Sequence, residues 1–182
     1  MQITETLEIA ERAEWRQWLA EHGATASEIW LLLYRPTLKK PGLTYLQAVE
    51  EALCFGWIDG IAKKADAERT AQRFSPRRPK SNWTELNKER ARRLIAAGLM
   101  TEAGFAKLPD LSTDTFRIAG DILEALRADP QTWENFQQFP PHYQRIRISA
   151  VEEVRKQPDL FRSRLDNLLR KTQQNKMFRI LE

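Results

Sequence analysis

Apolar residues recur along this chain at two different rhythms, and the change between them divides the sequence. Up to about residue 107, helical stripes alternate with short continuous or alternating apolar runs; beyond residue 114 only the helical rhythm remains. Leu7 to Ile9 reads as a short extended piece. Trp15, Trp18, Leu19 and His22 fall on one face of a helix expected from Glu11 to His22, with Gly23 as its stop. Ile29 to Tyr34 is an unbroken apolar run too short for a helix, so it is expected to be a buried strand, and Arg35 to Gly42, with two prolines, a loop. From Thr44 to Leu53 an amphipathic helix is expected. Thr44 and Gln47 have the spacing of a capping box, and Tyr45, Leu46, Val49, Ala52 and Leu53 form its stripe.

The stretch Leu53-Cys-Phe-Gly-Trp-Ile-Asp-Gly60 sharply ends that helix. Gly56 stands where a left-handed residue is needed, and Trp57 and Ile58 open a strand. Residues 57–65 and 69–75 pattern as a hairpin turning through Asp66-Ala67-Glu68, with Thr70, Gln72 and Phe74 alternating against Arg69, Ala71 and Arg73. Prolines then keep Ser75 to Ser81 extended. Ser81 or Thr84 caps a helix to Ala97, with Leu86, Ala91, Leu94 and Ile95 inward and Gly98 closing it, and Thr101 to Ala106 adds one more helical turn. Residues 108–114 read as a linker. Beyond them, helices restart at Ile118, at Asp129-Pro130, at Pro140-Pro141 and at Pro158. The expected fold class is α+β: a small sheet of one strand plus a hairpin, packed with helices (residues 1–107), followed by an all-helical C-terminal part (residues 108–182).

Composition narrows the function classes. Among 182 residues, 42% are hydrophobic and 30% charged, ordinary for a globular protein. The single cysteine excludes an internal disulfide and a multi-cysteine metal site. No stretch resembles a secretory signal or approaches the apolar length of a membrane span, so a cytoplasmic location is expected. The net charge of +4 conceals an asymmetry: Lys63 to Arg93 carries eleven basic and four acidic residues, while the rest of the chain is slightly acidic. Charge concentrated in this way makes a field able to hold anions.

The residues of the corner also carry a resemblance. Tyr45, Ala48-Val49, Ala52-Leu-Cys-Phe-Gly-Trp-Ile-Asp-Gly60, Phe74-Ser-Pro-Arg-Arg-Pro-Lys-Ser-Asn-Trp83, Asn87, Arg90, Leu94, Gly98 and Met100 resemble the signature of the YdeI/OmpD-associated, bacteriocin-protection family. Trp15-Arg-Gln-Trp-Leu19 and Trp30-Leu31 match upstream. The resemblance covers nearly all of the chain, most specifically residues 44–104. It implies a role in envelope stress or bacteriocin tolerance; an envelope partner is suggested by the family name alone, and no catalytic residue follows from it.

Three readings of the basic segment follow. In the first, an anionic small molecule or phosphate-bearing ligand is held in a cleft lined by Trp57, Asp59, Arg73, Arg77, Arg78, Ser81, Trp83, Asn87 and Arg90. Arg77 and Arg78 grip the anion, Trp57 and Trp83 form walls, and Asp59 orients an arginine. The helix start after Ser81 adds free backbone donors. In the second, the same strip binds nucleic acid through phosphate contacts. In the third, the chain is an enzyme on a small acidic substrate with Asp59 as base. Against all three stands a solvated face whose arginines pair with Asp59, Asp66 and Glu68. Cys54 lies at the C-terminal end of its helix, where the dipole disfavours a thiolate, and reads as structural. His22 and His142 have no ligand-spaced partner, and no motif calls for a metal or cofactor.

Overall fold

The computed structural model describes residues 2–178. The chain divides into two compact units, residues 1–82 with 90–109 and residues 83–89 with 110–182. As expected from sequence, the fold is α+β: a four-stranded mixed sheet with helices, then a helical C-terminal region.

The first unit contains β1 (Thr6–Leu7), α1 (Arg12–His22), β2 (Ile29–Tyr34), α2 (Tyr45–Cys54), β3 (Trp57–Lys64) and β4 (Arg69–Pro76). The end of α3 (Glu85–Ala96) and the short α4 (Glu102–Phe105) complete it. The first extended piece is thus shorter and earlier than Leu7 to Ile9, because it pairs with β2 only at Thr6 and Leu7. The loop after β2 contains a 3-10 turn, Pro36–Leu38, begun by a proline whose fixed backbone angle suits that position.

The strand order is β1-β2-β4-β3, with β1 parallel to β2 and the other pairs antiparallel. The hairpin therefore inserts its second strand, β4, beside β2. Leu31 stands opposite Gln72, Leu33 opposite Thr70, and Asp59 opposite Phe74. Directly opposed residues project to the same side, so these side chains share one face. Trp15 of α1 packs on that face, its ring 5.6 Å from Phe74, while its indole Nε1 donates to the Ala48 carbonyl of α2 at 3.0 Å. A register shift between Asp59 and Ala62 adds one residue to β3. Such a bulge bends an edge strand and re-aims its side chains, so that Asp59, opposite Phe74, and Lys64, opposite Thr70, come to the same face.

α2 begins as its sequence requires. The Thr44 hydroxyl accepts from the Gln47 N–H at 3.2 Å, and the Gln47 carboxamide oxygen accepts from the Thr44 N–H at 3.0 Å. Its end is fastened to α4. The Cys54 carbonyl accepts from the Thr101 N–H at 3.1 Å and from the Thr101 hydroxyl at 2.6 Å. Gly56, at φ +73°, turns the chain into β3 through the left-handed region that other residues avoid. Midway along α2, Glu51 is buried, with its carboxylate between Arg12 and Arg16.

The second unit holds α5 (Gly120–Arg127), α6 (Pro130–Gln138), α7 (Pro141–Glu152) and α8 (Pro158–Gln173). Three of these begin with proline at the first helical position, where a missing N–H costs nothing. Ile122, Leu126, Phe136, Tyr143, Ile148 and Leu168 are buried in one core. The buried Asn135 amide donates to the Thr172 carbonyl at 2.9 Å, tying α6 to the end of α8. No helix among the described residues is long and apolar enough to cross a membrane.

Candidate functional site

α2 and β3 meet through one short hydrogen bond: the Tyr45 hydroxyl, on the first helical residue after the cap, donates to Asp59 Oδ2 at 2.6 Å. Burial and the neighbouring carboxylate both hold the Tyr45 pKa above its ordinary value, so the phenol stays a donor. Two arginines share this electrostatic neighbourhood. Arg77, 2% exposed, has its guanidinium pKa pushed down to about 10 by burial, against the pull of Asp59. Arg90 is likewise lowered by burial and held up by Tyr45, Asp59 and Glu50. The Glu50 carboxylate pairs with Arg12 at 3.0 Å. The Asp59 carboxylate, engaged by the Tyr45 phenol, thus lies within electrostatic reach of two guanidiniums.

Local backbone contacts place Arg77. Its N–H donates to the Gly56 carbonyl at 2.9 Å, so the proline-bounded strip is pinned to the glycine corner. Its Nη1 lies 3.4 Å from both the Ser81 hydroxyl and the Asn82 carbonyl. Asp59, Arg77, Ser81 and Arg90 all belong to the first unit, with Ser81 beside Arg77 and both arginines within electrostatic reach of Asp59.

Other members of the predicted cleft are placed differently. Trp57 is a support and not a wall. It is 1% exposed, its Nε1 donates to the Gly23 carbonyl at 3.0 Å, and its ring meets Trp18 edge-on at 5.8 Å. Arg73 opposes Trp30 in the ladder, on the side of the sheet away from Asp59. Both its Nε and Nη2 reach the Glu28 carboxylate, at 2.7 and 2.6 Å. This pairing removes it from the cleft, because a guanidinium committed to a carboxylate is not available to a ligand. Arg78 is exposed on the strip. Trp83 and Asn87 belong to the second unit, where the Asn87 N–H donates to the Thr84 hydroxyl that starts the α3 turn.

Sequence reasoning missed two residues. Tyr45, on the expected apolar stripe of α2, is 44% exposed and reaches across to β3. Its signal was its place at the first helical position, where a side chain is free to leave the helix surface. Glu51 is a buried carboxylate that no periodicity reveals, since its partners Arg12 and Arg16 lie on another helix.

Cys54 is fully buried, and its thiol is pushed up to about 11, first by burial and then by Glu51. The ordinary value is 9.0, so the folded state favours the neutral thiol. This contribution is complete below pH 9 and is lost as pH rises from 9 towards 11. The native protein at pH 8 is expected to resist alkylation by iodoacetamide, and to react at one site per chain once unfolded in guanidinium; mass spectrometry reads the result. Rapid native labelling at pH 8 would contradict the burial. Among the described residues, no group of three or more His, Cys, Asp or Glu side chains could hold a metal ion.

With the fold and the cluster in view, the family relationships divide along the chain. Residues 7–107 match a domain of unknown function (DUF8412), and residues 115–175 match the bacteriocin-protection, YdeI or OmpD-associated family. The chain belongs to the first of these families across more than half its length, and its helical region carries the second. The corner and the proline–arginine strip fall within the first match, while the match to the bacteriocin-protection family lies in the helical region. No curated protein and no solved structure matches the chain.

Proposed function

We propose that the first unit binds a small anion at the cluster of Tyr45, Asp59, Arg77 and Arg90. The observation that supports this reading is a meeting of groups: a buried and a half-buried guanidinium both lie within the electrostatic reach of the carboxylate that Tyr45 engages. Planar guanidinium groups match phosphate and carboxylate oxygens, and in a partly desolvated region such charge-assisted bonds are stronger than in water. Burial lowers both arginine pKa values and Asp59 raises them, so nearby negative charge stabilises their charged forms.

The nucleic-acid reading draws less support. Arg69 pairs with Asp66 and Glu8, Arg73 pairs with Glu28, and Arg77 is buried. The strip therefore presents fewer cations to a polyanion than its sequence contains.

Calorimetric titration of the full chain with inorganic phosphate, sulfate and succinate tests the proposal. A saturable, one-to-one response to at least one of them is expected. Arg90→Gln is expected to weaken it by about tenfold or more, since one hydrogen bond to a charged group is worth about 1.5–3 kcal/mol. Absence of heat with all three anions, or an Arg90→Gln variant that binds as the parent does, would count against it.

A further inference from the structure

A cavity of about 480 Å³ opens in the first unit between the end of β2, the loop after it and the start of α2. That volume suits enclosure of a small organic molecule, for which sites run roughly 300–1,000 Å³. The antiparallel register makes its floor. Leu33 stands opposite Thr70 on the helix-covered face, and Gln72 follows on the same side. Leu43, buried, and the aromatic residues Tyr34 and Tyr45 line it as well.

The rim is different in kind. Arg35, Lys39 and Lys40 border the cavity, and among the described residues that line it none is acidic. Two of these cations have internal partners: Lys40 Nζ meets Glu68 at 2.6 Å and lies over the Tyr34 ring, and Arg35 Nη2 donates to the Asp66 carbonyl at 3.2 Å. Arg35 is held there by a neutral oxygen, so its charge is not cancelled, and Lys39 is exposed at the end of the 3-10 turn. An apolar body beneath a positive rim is complementary to an amphiphilic anion and to neither a neutral hydrocarbon nor a free inorganic ion.

We propose that this cavity binds a small organic monoanion, an aromatic or short aliphatic carboxylate or sulfonate. Its apolar body lies on Leu33, Leu43 and the Tyr45 ring, and its charged head meets Arg35 and Lys39. The site is separate from the guanidinium cluster. The two have Tyr45 in common, whose ring borders the cavity while its hydroxyl is tied to Asp59. Failure of either proposal leaves the other intact.

Two dyes with the same fused-ring body separate shape from charge: 8-anilinonaphthalene-1-sulfonate and its uncharged parent, N-phenyl-1-naphthylamine. With the full chain, the sulfonate is expected to bind one-to-one, about tenfold more tightly than the neutral dye, a ratio equivalent to about 1.4 kcal/mol. Lys39→Glu should weaken the sulfonate about tenfold and leave the neutral dye unchanged. Thr70→Tyr, which fills the floor, should abolish both, with circular dichroism confirming its fold. In the parent protein, backbone amide shifts on adding the sulfonate should concentrate in residues 33–45 and 70–72, a readout independent of whether any variant folds. Equal affinity for the two dyes, binding indifferent to Lys39→Glu, or shifts centred elsewhere would overturn the proposal.

Discussion

Replacing both Arg12 and Arg16 by alanine is expected to destabilise the first unit by about 4 kcal/mol, since an ionised group left buried without its partners typically costs about 3–5 kcal/mol. The reason is geometric. The Glu51 side chain is 3% exposed, and its two oxygens are matched one to each guanidinium, at 2.5 and 2.7 Å. Arg16 also donates from Nη2 to the Leu99 carbonyl at 2.8 Å, so it closes the end of α3 as well. Each single variant should cost much less than half the double, because the remaining arginine still neutralises the carboxylate. Adding Glu51→Leu to the double variant should recover most of the loss, as an apolar side chain has no charge to compensate. Urea denaturation followed by tryptophan fluorescence measures all four chains. A double variant as stable as the parent would show that Glu51 finds water or another cation.

Gly104→Ala is expected to be nearly as damaging, at about 3 kcal/mol, the upper part of the range for forcing an extra carbon into a packed site. A Cβ at residue 104 would lie 2.2 Å from the Cys54 carbonyl oxygen and 2.8 Å from its carbon. Those are backbone atoms, so neither can rotate aside. The carbonyl is the same one that accepts from Thr101, and moving it would break the join between α2 and α4 just before the Gly56 corner. Gly98→Ala provides the comparison. Gly98 has φ +68°, but a Cβ there meets nothing within 4 Å. Its cost should be confined to backbone strain, about 1–2 kcal/mol. If the two substitutions destabilise equally, the close approach of α4 to Cys54 carries no energetic weight.

These two effects show where sequence was and was not readable. The capping box at Thr44 and Gln47, the left-handed Gly56 and the proline starts of α6, α7 and α8 were all visible, because each is a local matter of a few neighbouring residues. The β2 strand was visible for the same reason: an apolar run of that length has few alternatives. What lay out of reach were choices of partner across the chain. Arg73 had Asp59, Asp66 and Glu68 as nearby candidates, and it took Glu28, 45 positions away, because β4 lies beside β2. Trp57 read as a surface beside cations, yet the carbonyl of Gly23 draws its indole inward. The cavity was invisible too, since it requires the loop after β2 to stand against the Thr70 and Gln72 face of a strand not yet formed in sequence order.

Of the residues proposed for the cleft, Asp59, Arg77, Ser81 and Arg90 lie in the first unit near the glycine corner. Asp59 is placed by its pairing with Phe74 in the β3–β4 ladder, Arg77 by the Gly56 carbonyl, and Tyr45 by the capped start of α2. Three local features thus converge on one carboxylate. That convergence is why the cluster, more than the whole basic strip, is offered as the place where an anion binds.

The most direct measurement follows the arginine side chains themselves. In a protein labelled with nitrogen-15, the Nε–Hε signals of Arg77, Arg78 and Arg90 are recorded while inorganic phosphate, or whichever anion gives the calorimetric response, is added. Arg77 and Arg90 are expected to shift together along one saturation curve, while the exposed Arg78 shifts weakly and without saturating. Immobile Arg77 and Arg90 signals, or a response confined to Arg78, would contradict anion binding at the cluster.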